Sequence, residues 1–192
     1  MGVKEEFVIQ KLESLLINGY GKDELLPVFK CFKTKRDEDV QNFLVENAID
    51  YENSGAGRTY LVMNKNNKND IFGYFTLGLN TLRFEEGFDD VKDAYPGIEL
   101  YNNKQLPVYA LFLMGKNDSC PEGFSMAKVF KKDVLNLVSE AKKRVGGSIL
   151  YLDCIDDLVT YYKKLGFKEF GSHIVDDPNE GQIRLNTMIR SI

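Results

Sequence analysis

The chain has 192 residues, 43% hydrophobic and 28% charged, with a formal net charge of -4. Such a composition fits one globular domain with a buried core. It excludes a membrane span, because no run of about 18 apolar residues occurs, and it weighs against a protein that holds nucleic acid by bulk positive charge. Cys31, Cys120 and Cys154 show no CxxC spacing, which predicts reduced thiols, no structural zinc and a cytoplasmic setting. Glu5 and Glu6 stand where a secretory leader needs an apolar run.

In chain order, Phe7, Val8, Leu12, Leu15 and Leu16 recur at helical spacing and predict a helix over 3–18. The apolar run Leu26 to Phe32 predicts a first strand. Asp37 is placed to cap a helix whose face is Val40, Phe43, Leu44 and Ala48, broken by Gly55-Ala56-Gly57. Arg58 to Asn64 and Asp70 to Leu79 predict a hairpin around the polar turn 65–69. The stretch 81–106 is irregular, an excursion with room for one helix near 87–95.

Val108 to Met114 is continuously apolar, the mark of a strand buried on both faces. A helix follows from about Gly123 to Arg144, with Met126, Val129, Phe130, Val134, Leu137 and Val138 on one side, ended by Gly146-Gly147. Then come a strand to Cys154, a helix from Asp156 to Leu165 capped by Asp156 or Asp157, and strands over 168–175 and 182–190. The expected architecture is a single α/β (α+β) domain over 1–192. It has a mixed, mostly antiparallel sheet of six to seven strands, a central parallel pair, and flanking helices.

Two elements carry chemistry. Glu122-Gly123-Phe124-Ser125-Met126-Ala127 is a small-residue turn entering a helix. Such a turn offers backbone N–H groups and a positive dipole end to a pyrophosphate, though alone it reads equally as an ordinary helix start. Downstream, Tyr162-Lys163-Lys164-Leu165-Gly166-Phe167 sets a phenol four residues before Gly-Phe.

Together these elements resemble the GCN5-related N-acetyltransferases, whose acyl-CoA motif reads Gln/Arg-x-x-Gly-x-Gly/Ala. Here Glu122 replaces Gln or Arg, Ser125 replaces the middle Gly, and Ala127 fits. Gly57-Arg58-Thr59-Tyr60-Leu61-Val62 and Ile71-Phe72-Gly73-Tyr74-Phe75-Thr76-Leu77 resemble the branch that includes toxin-type acetyltransferases acting on aminoacyl-tRNA. The resemblance spans about 29–170. It implies acetyl-CoA as co-substrate and no metal. The cofactor would be held by Leu113, Met114, Gly115 and Lys116, by the turn residues Glu122, Gly123, Phe124, Ser125, Met126 and Ala127, and by Cys154 and Tyr162. The six bases of Lys128 to Arg144 read first as the solvated face of their helix, and the resemblance would let Lys128 or Lys131 reach the CoA phosphates.

The implied reaction is direct attack of a primary amine on the thioester. A backbone N–H near Gly115 would hold the oxyanion, and Tyr162 would act as general acid toward the leaving thiolate. No base is evident. Glu122, Asp118 and Asp153 are the nearby carboxylates, and the single histidine, His173, reads as structural.

Arg83 to Glu99 holds two bases and six acids, while Lys128 to Arg144 holds six bases and two acids. An acidic rim suits a small cationic amine or a protein amine, which ranks these acceptors above tRNA. The alternative reading is a catalytically silent acyl-CoA-binding or interaction module. No membrane partner is expected, and a homodimer is left open.

Overall fold

The computed structural model describes residues 7–35, 38–83, 105–177 and 181–192. Its strands are β1 (Phe7–Lys11), β2 (Gly57–Asn64), β3 (Ile71–Arg83), β4 (Gln105–Lys116), β5 (Ile149–Cys154), β6 (Lys168–Asp177) and β7 (Gly181–Ser191). They form one sheet in the order β1-β2-β3-β4-β5-β7-β6. β4 and β5 run parallel, with Tyr109 opposite Leu150 and Ala110 opposite Tyr151. The pairs β1–β2, β2–β3, β5–β7 and β6–β7 are antiparallel. Helices flank this mixed sheet, as the sequence predicts. Among the described residues no helix is long and apolar enough to cross a membrane, and no cluster of His, Cys, Asp and Glu could hold a metal ion.

The chain forms two compact units. The first takes the described residues up to Gly78 together with Phe112–Met126. Its helices are α1 (Leu12–Ile17), α2 (Lys22–Phe29), α3 (Glu38–Asn42) and α4 (Ala48–Ser54), with a π-helical turn, Phe43–Asn47, joining the last two. The core gathers Leu12, Leu25, Phe29, Phe32, Val40, Phe43, Leu44 and Ala48 over Leu61, Met63 and Tyr74. The face predicted from Val40, Phe43, Leu44 and Ala48 is therefore buried. Asp37, the predicted cap, lies outside the described residues.

Two expectations fail in this unit. The segment expected as one helix over 3–18 divides, and its first described half is strand β1, paired with β2 from Phe7↔Asn64 to Lys11↔Tyr60. Phe7-Val8-Ile9 is an aromatic and β-branched trio that favours extended backbone, and the β2 edge supplies its partners. The expected first strand, Leu26 to Phe32, is instead mostly helix α2. The Glu24 carboxylate accepts the Gly21 N–H at 2.9 Å, Asp23 and Glu24 occupy the first turn, and Leu25 and Phe29 bury one turn apart. Pro27 removes one donor, which an eight-residue helix with a buried face tolerates.

The hairpin motifs prove to be built for pairing. Thr59 and Thr76, register partners in β2 and β3, share a buried hydroxyl hydrogen bond at 3.0 Å. Tyr60 stacks on its partner Phe75 at 4.9 Å. Arg58 meets the buried Glu52 carboxylate at 3.1 Å, and Glu52 also accepts the Thr59 N–H at 2.8 Å. Gly57 and Gly78, opposite each other, leave room for the Phe112 ring, which a Cβ on Gly78 would meet at 2.3 Å.

The second unit takes the described residues of Leu79–Leu111 and Ala127–Ile192. The long helix predicted after Gly123 begins at Met126 as α5 (Met126–Val129), passes through a π-helical turn, Phe130–Val134, and continues as α6 (Leu135–Val145). Val129, Phe130, Val134 and Val138 are buried as expected, while Leu137 is half-buried. Helix α7 (Asp156–Lys164) starts after Ile155, whose backbone is extended. Asp156 and Asp157, expected as caps, are first-turn residues instead, where they complement the dipole. The helix expected near 87–95 lies outside the described residues.

Two tests follow from the first unit. Burial raises the Glu52 carboxyl above its ordinary range, against the pull of the Thr59 N–H and Arg58. A carboxyl raised by folding contributes most below its unfolded pKa, and the contribution is lost as pH rises through the folded value. The stability of the wild type relative to Glu52→Gln should therefore fall as pH rises above the ordinary carboxylate range, read by urea denaturation at each pH. Separately, a Cβ on Gly115 would lie 2.4 Å from Val40 Cγ1 and 3.0 Å from Phe32 Cζ. Gly115→Ala should therefore cost about 1–3 kcal/mol by overpacking, seen as a lower denaturation midpoint with an unchanged slope.

Candidate active site

Each unit holds part of the predicted site. In the first, Leu113 and Gly115 of β4 turn toward the core: Leu113 packs on the main apolar cluster, and Gly115 closes against Val40, Phe32 and Tyr74. Met114 is half-buried and Lys116 is exposed. A residue overlooked in the sequence ends the strand. Asn117 is buried, and its Nδ2 donates to the carbonyls of Ile71 at 2.7 Å and Cys31 at 3.4 Å. Its Oδ1 accepts the N–H groups of Lys33 and Ser119 and the Ser119 hydroxyl. One carboxamide thus fixes the exit of β4, and the clue in sequence is an Asn three residues past the apolar run that ends at Met114. Asp118, a base candidate, accepts the Lys35 N–H at 2.9 Å, which gives it a structural task.

The turn that follows is anchored by its apolar members. Gly123 has φ +86, a conformation glycine adopts freely. The Phe124 ring packs edge-on against Phe7 at 5.7 Å and tilted on Phe72 at 5.4 Å. Met126, buried at the first turn of α5, seats on Gly73, where a Cβ would stand 2.5 Å from its Sδ. Glu122 is exposed and Ser125 half-buried. The helix begins at Met126, three residues after the predicted start, and its leading N–H groups have no partner within the helix.

In the second unit, Ala127 is half-buried in α5 and Lys128 and Lys131 are exposed. Tyr162 is only 8% exposed. Its ring stands edge-on to Tyr161 at 5.2 Å and to Phe167 at 5.7 Å, and Phe167 lies on Phe130 at 5.6 Å. The Tyr-x-x-x-Gly-Phe spacing has a local cause. The Tyr162 carbonyl accepts the N–H groups of Leu165 and Phe167, and Gly166, at φ +89, turns the chain back. A Cβ on Gly166 would lie 2.6 Å from Arg190 Nη1. That guanidinium donates to the Leu165 carbonyl and stands over the Phe130 ring at 5.8 Å.

The same unit sorts its groups by face. Cys154, Asn186 and Arg190 share the α7 face, since Cys154 pairs with Asn186 and Asn186 Nδ2 donates to the Asp156 carboxylate at 2.6 Å. Cys154 is buried, and burial followed by the charges of Asp153, Asp156 and Glu169 raises its thiol to about 11. A thiol so placed stays protonated near neutrality and makes a poor nucleophile.

The opposite face carries Tyr151, Asp153, Thr187 and His173. The Tyr151 hydroxyl donates to Asp153 Oδ2, and Thr187 Oγ1 donates to Oδ1 at 2.8 Å. His173 Nε2 stands 3.7 Å from Oδ2. Burial, then the Asp153 carboxylate, raises the Tyr151 phenol far above its ordinary range, so it acts as a donor. The sequence names Asp153 and His173 separately and does not join them.

No protein-family model and no curated protein sequence matches the chain. Solved structures do. The chain is similar to AtaTR bound with AcCoA at 18% identity and TM-score 0.65, covering 95% of each chain. It is similar to AtaT complexed with acetyl-methionyl-tRNAfMet at 19% identity and TM-score 0.63, covering 93% of each. A tyrosine-to-phenylalanine mutant of KacT matches at 16% identity and TM-score 0.65, over 94% of this chain and 95% of that one. A mixed seven-stranded sheet with a parallel β4–β5 pair, shared over nearly the whole of both chains with these toxin acetyltransferases, gives this chain the fold of the GCN5-related N-acetyltransferases.

Proposed function

We propose that the protein is an acetyl-CoA-dependent N-acetyltransferase that moves an acetyl group directly to a primary amine. The observation that carries this reading is the fold likeness to AtaTR bound with AcCoA across 95% of both chains. Glu122 to Ala127 would hold the pyrophosphate at the start of α5, the backbone of Leu113 to Lys116 would pair with the pantetheine arm, and Cys154 would end the wall beside the thioester. An N–H near Gly115 would meet the oxyanion.

Tyr162 serves as the general acid. A phenol of ordinary pKa about 10 can protonate a thiolate whose acid has pKa about 8.5 only because transfer accompanies C–S cleavage. Its apolar ring neighbours keep it in one pose and keep water out. Cys154, neutral and buried, lines the site and takes no acyl group.

Two acceptor sources share the amine chemistry. The net charge of -4 favours a small cationic amine or a protein amine. The AtaT complex with acetyl-methionyl-tRNAfMet favours the α-amine of aminoacyl-tRNA, and the exposed Lys128, Lys131, Lys132, Lys143 and Arg144 offer a basic face for it. Filter binding of charged tRNA at moderate salt, beside an amine panel assayed for thiol release, separates them.

Tyr162→Phe should lower kcat about 100-fold while acetyl-CoA affinity stays within experimental error. Acetyl-CoA binding with no thiol release for any amine or aminoacyl-tRNA would instead establish the silent binding module. Cys154→Ala should retain thiol release at close to the wild-type rate. Single-turnover quench experiments should find no acetyl group on the protein.

A further inference from the structure

We propose that His173 is the general base that takes the proton from the acceptor amine, with Asp153 as its positioning residue. The inference rests on the acetyltransferase reading and supplies the group that reading lacks. Three observations within the second unit carry it.

First, β7 fixes the geometry. Asp153 pairs with Thr187, and His173 with Leu185 on the next same-face rung. The imidazole and the carboxylate thus share the face of the sheet opposite Asn186 and α7. Second, the carboxylate is held. Oδ1 accepts from Thr187 and Oδ2 from Tyr151, and His173 Nε2 stands 3.7 Å from Oδ2. The Asp153 side chain is 21% exposed and the imidazole 44%, so the carboxylate is mostly enclosed while the ring beside it is open to solvent. Third, Tyr162 belongs to α7, on the other face. Acyl transfer wants this division, because the amine enters on one side of the carbonyl while sulfur leaves on another.

In the neutral tautomer that keeps its proton on Nε2, toward the Asp153 carboxylate, Nδ1 has a free lone pair. It takes one proton from R–NH3+. The freed nitrogen pair forms the N–C bond, and collapse of the tetrahedral adduct breaks C–S. Sulfur takes the Tyr162 proton, the second amine proton restores Tyr162, and the first leaves His173 for solvent. Among the described residues, the titratable groups sharing this face are Asp153 and Tyr151 on β5, with Lys168, on the Tyr151 rung, and Asp177 further along β6. Glu169 and Arg184 pair with Met188 and Ile174, on the α7 face.

The test is the pH dependence of kcat/KM for acetyl-CoA-dependent thiol release with an alkylamine acceptor of pKa about 10, the lysine type. Wild type should rise and then level off above the range in which imidazoles titrate. His173→Gln should lose about 100-fold at pH 7, should keep rising without levelling, and should be rescued by added imidazole. Asp153→Asn should lose activity in kcat with an unchanged KM for acetyl-CoA, and thermal melting should show both variants folded.

A His173→Gln enzyme that keeps the plateau, or that loses activity imidazole cannot restore, overturns the proposal alone. Absence of thiol release by wild type with every amine and aminoacyl-tRNA overturns the acetyltransferase reading, and the base with it.

Discussion

Everything proposed for the first unit depends on how the chain leaves β4. An apolar strand ends in a buried carboxamide, and Asn117 spends its hydrogen bonds on the carbonyls of Cys31 and Ile71 and the N–H groups of Lys33 and Ser119. Buried amides are stable only when so satisfied, and an unsatisfied one costs about 1–3 kcal/mol. The same constraint sets the direction of the loop, which Met126 completes by seating on Gly73. The start of α5 is thus located by one polar hub and one missing side chain. Neither resembles a cofactor motif.

That explains why a degenerate turn can keep its geometry. Glu122 and Ser125 depart from the family pattern, yet neither fixes the loop. Phe124, Met126 and Gly123 do. In the second unit the division is similar: Gly166 and Arg190 shape the helix end, and Tyr162 profits from a pose it does not itself determine.

The sheet order around the β-α-β unit was legible because its signals are local: a continuous apolar strand, a helical period, a Gly-Gly stop. The Tyr-Gly-Phe spacing was legible for the same reason. The failures share a different cause. Phe7 to Lys11 becomes a strand only because β2 offers an edge, and Leu26 to Phe29 is helical only because Leu25 and Phe29 find a core. Periodicity over so few residues cannot register a partner. Asn117 and the Asp153–His173 pair were missed because their contacts join residues distant in sequence, and no spacing rule connects them.

The β6–β7 ladder has a mechanical consequence. β5 stops at Cys154 opposite Asn186, while the two outer strands continue pairing to Asp177 and Gly181. His173 therefore stands on the first rung past the end of β5, where three-stranded pairing gives way to two. Asp153 belongs to the three-stranded part and the imidazole to the two-stranded part. Their separation follows the twist of the β6–β7 pair, so whatever grips its outer rungs also adjusts that separation.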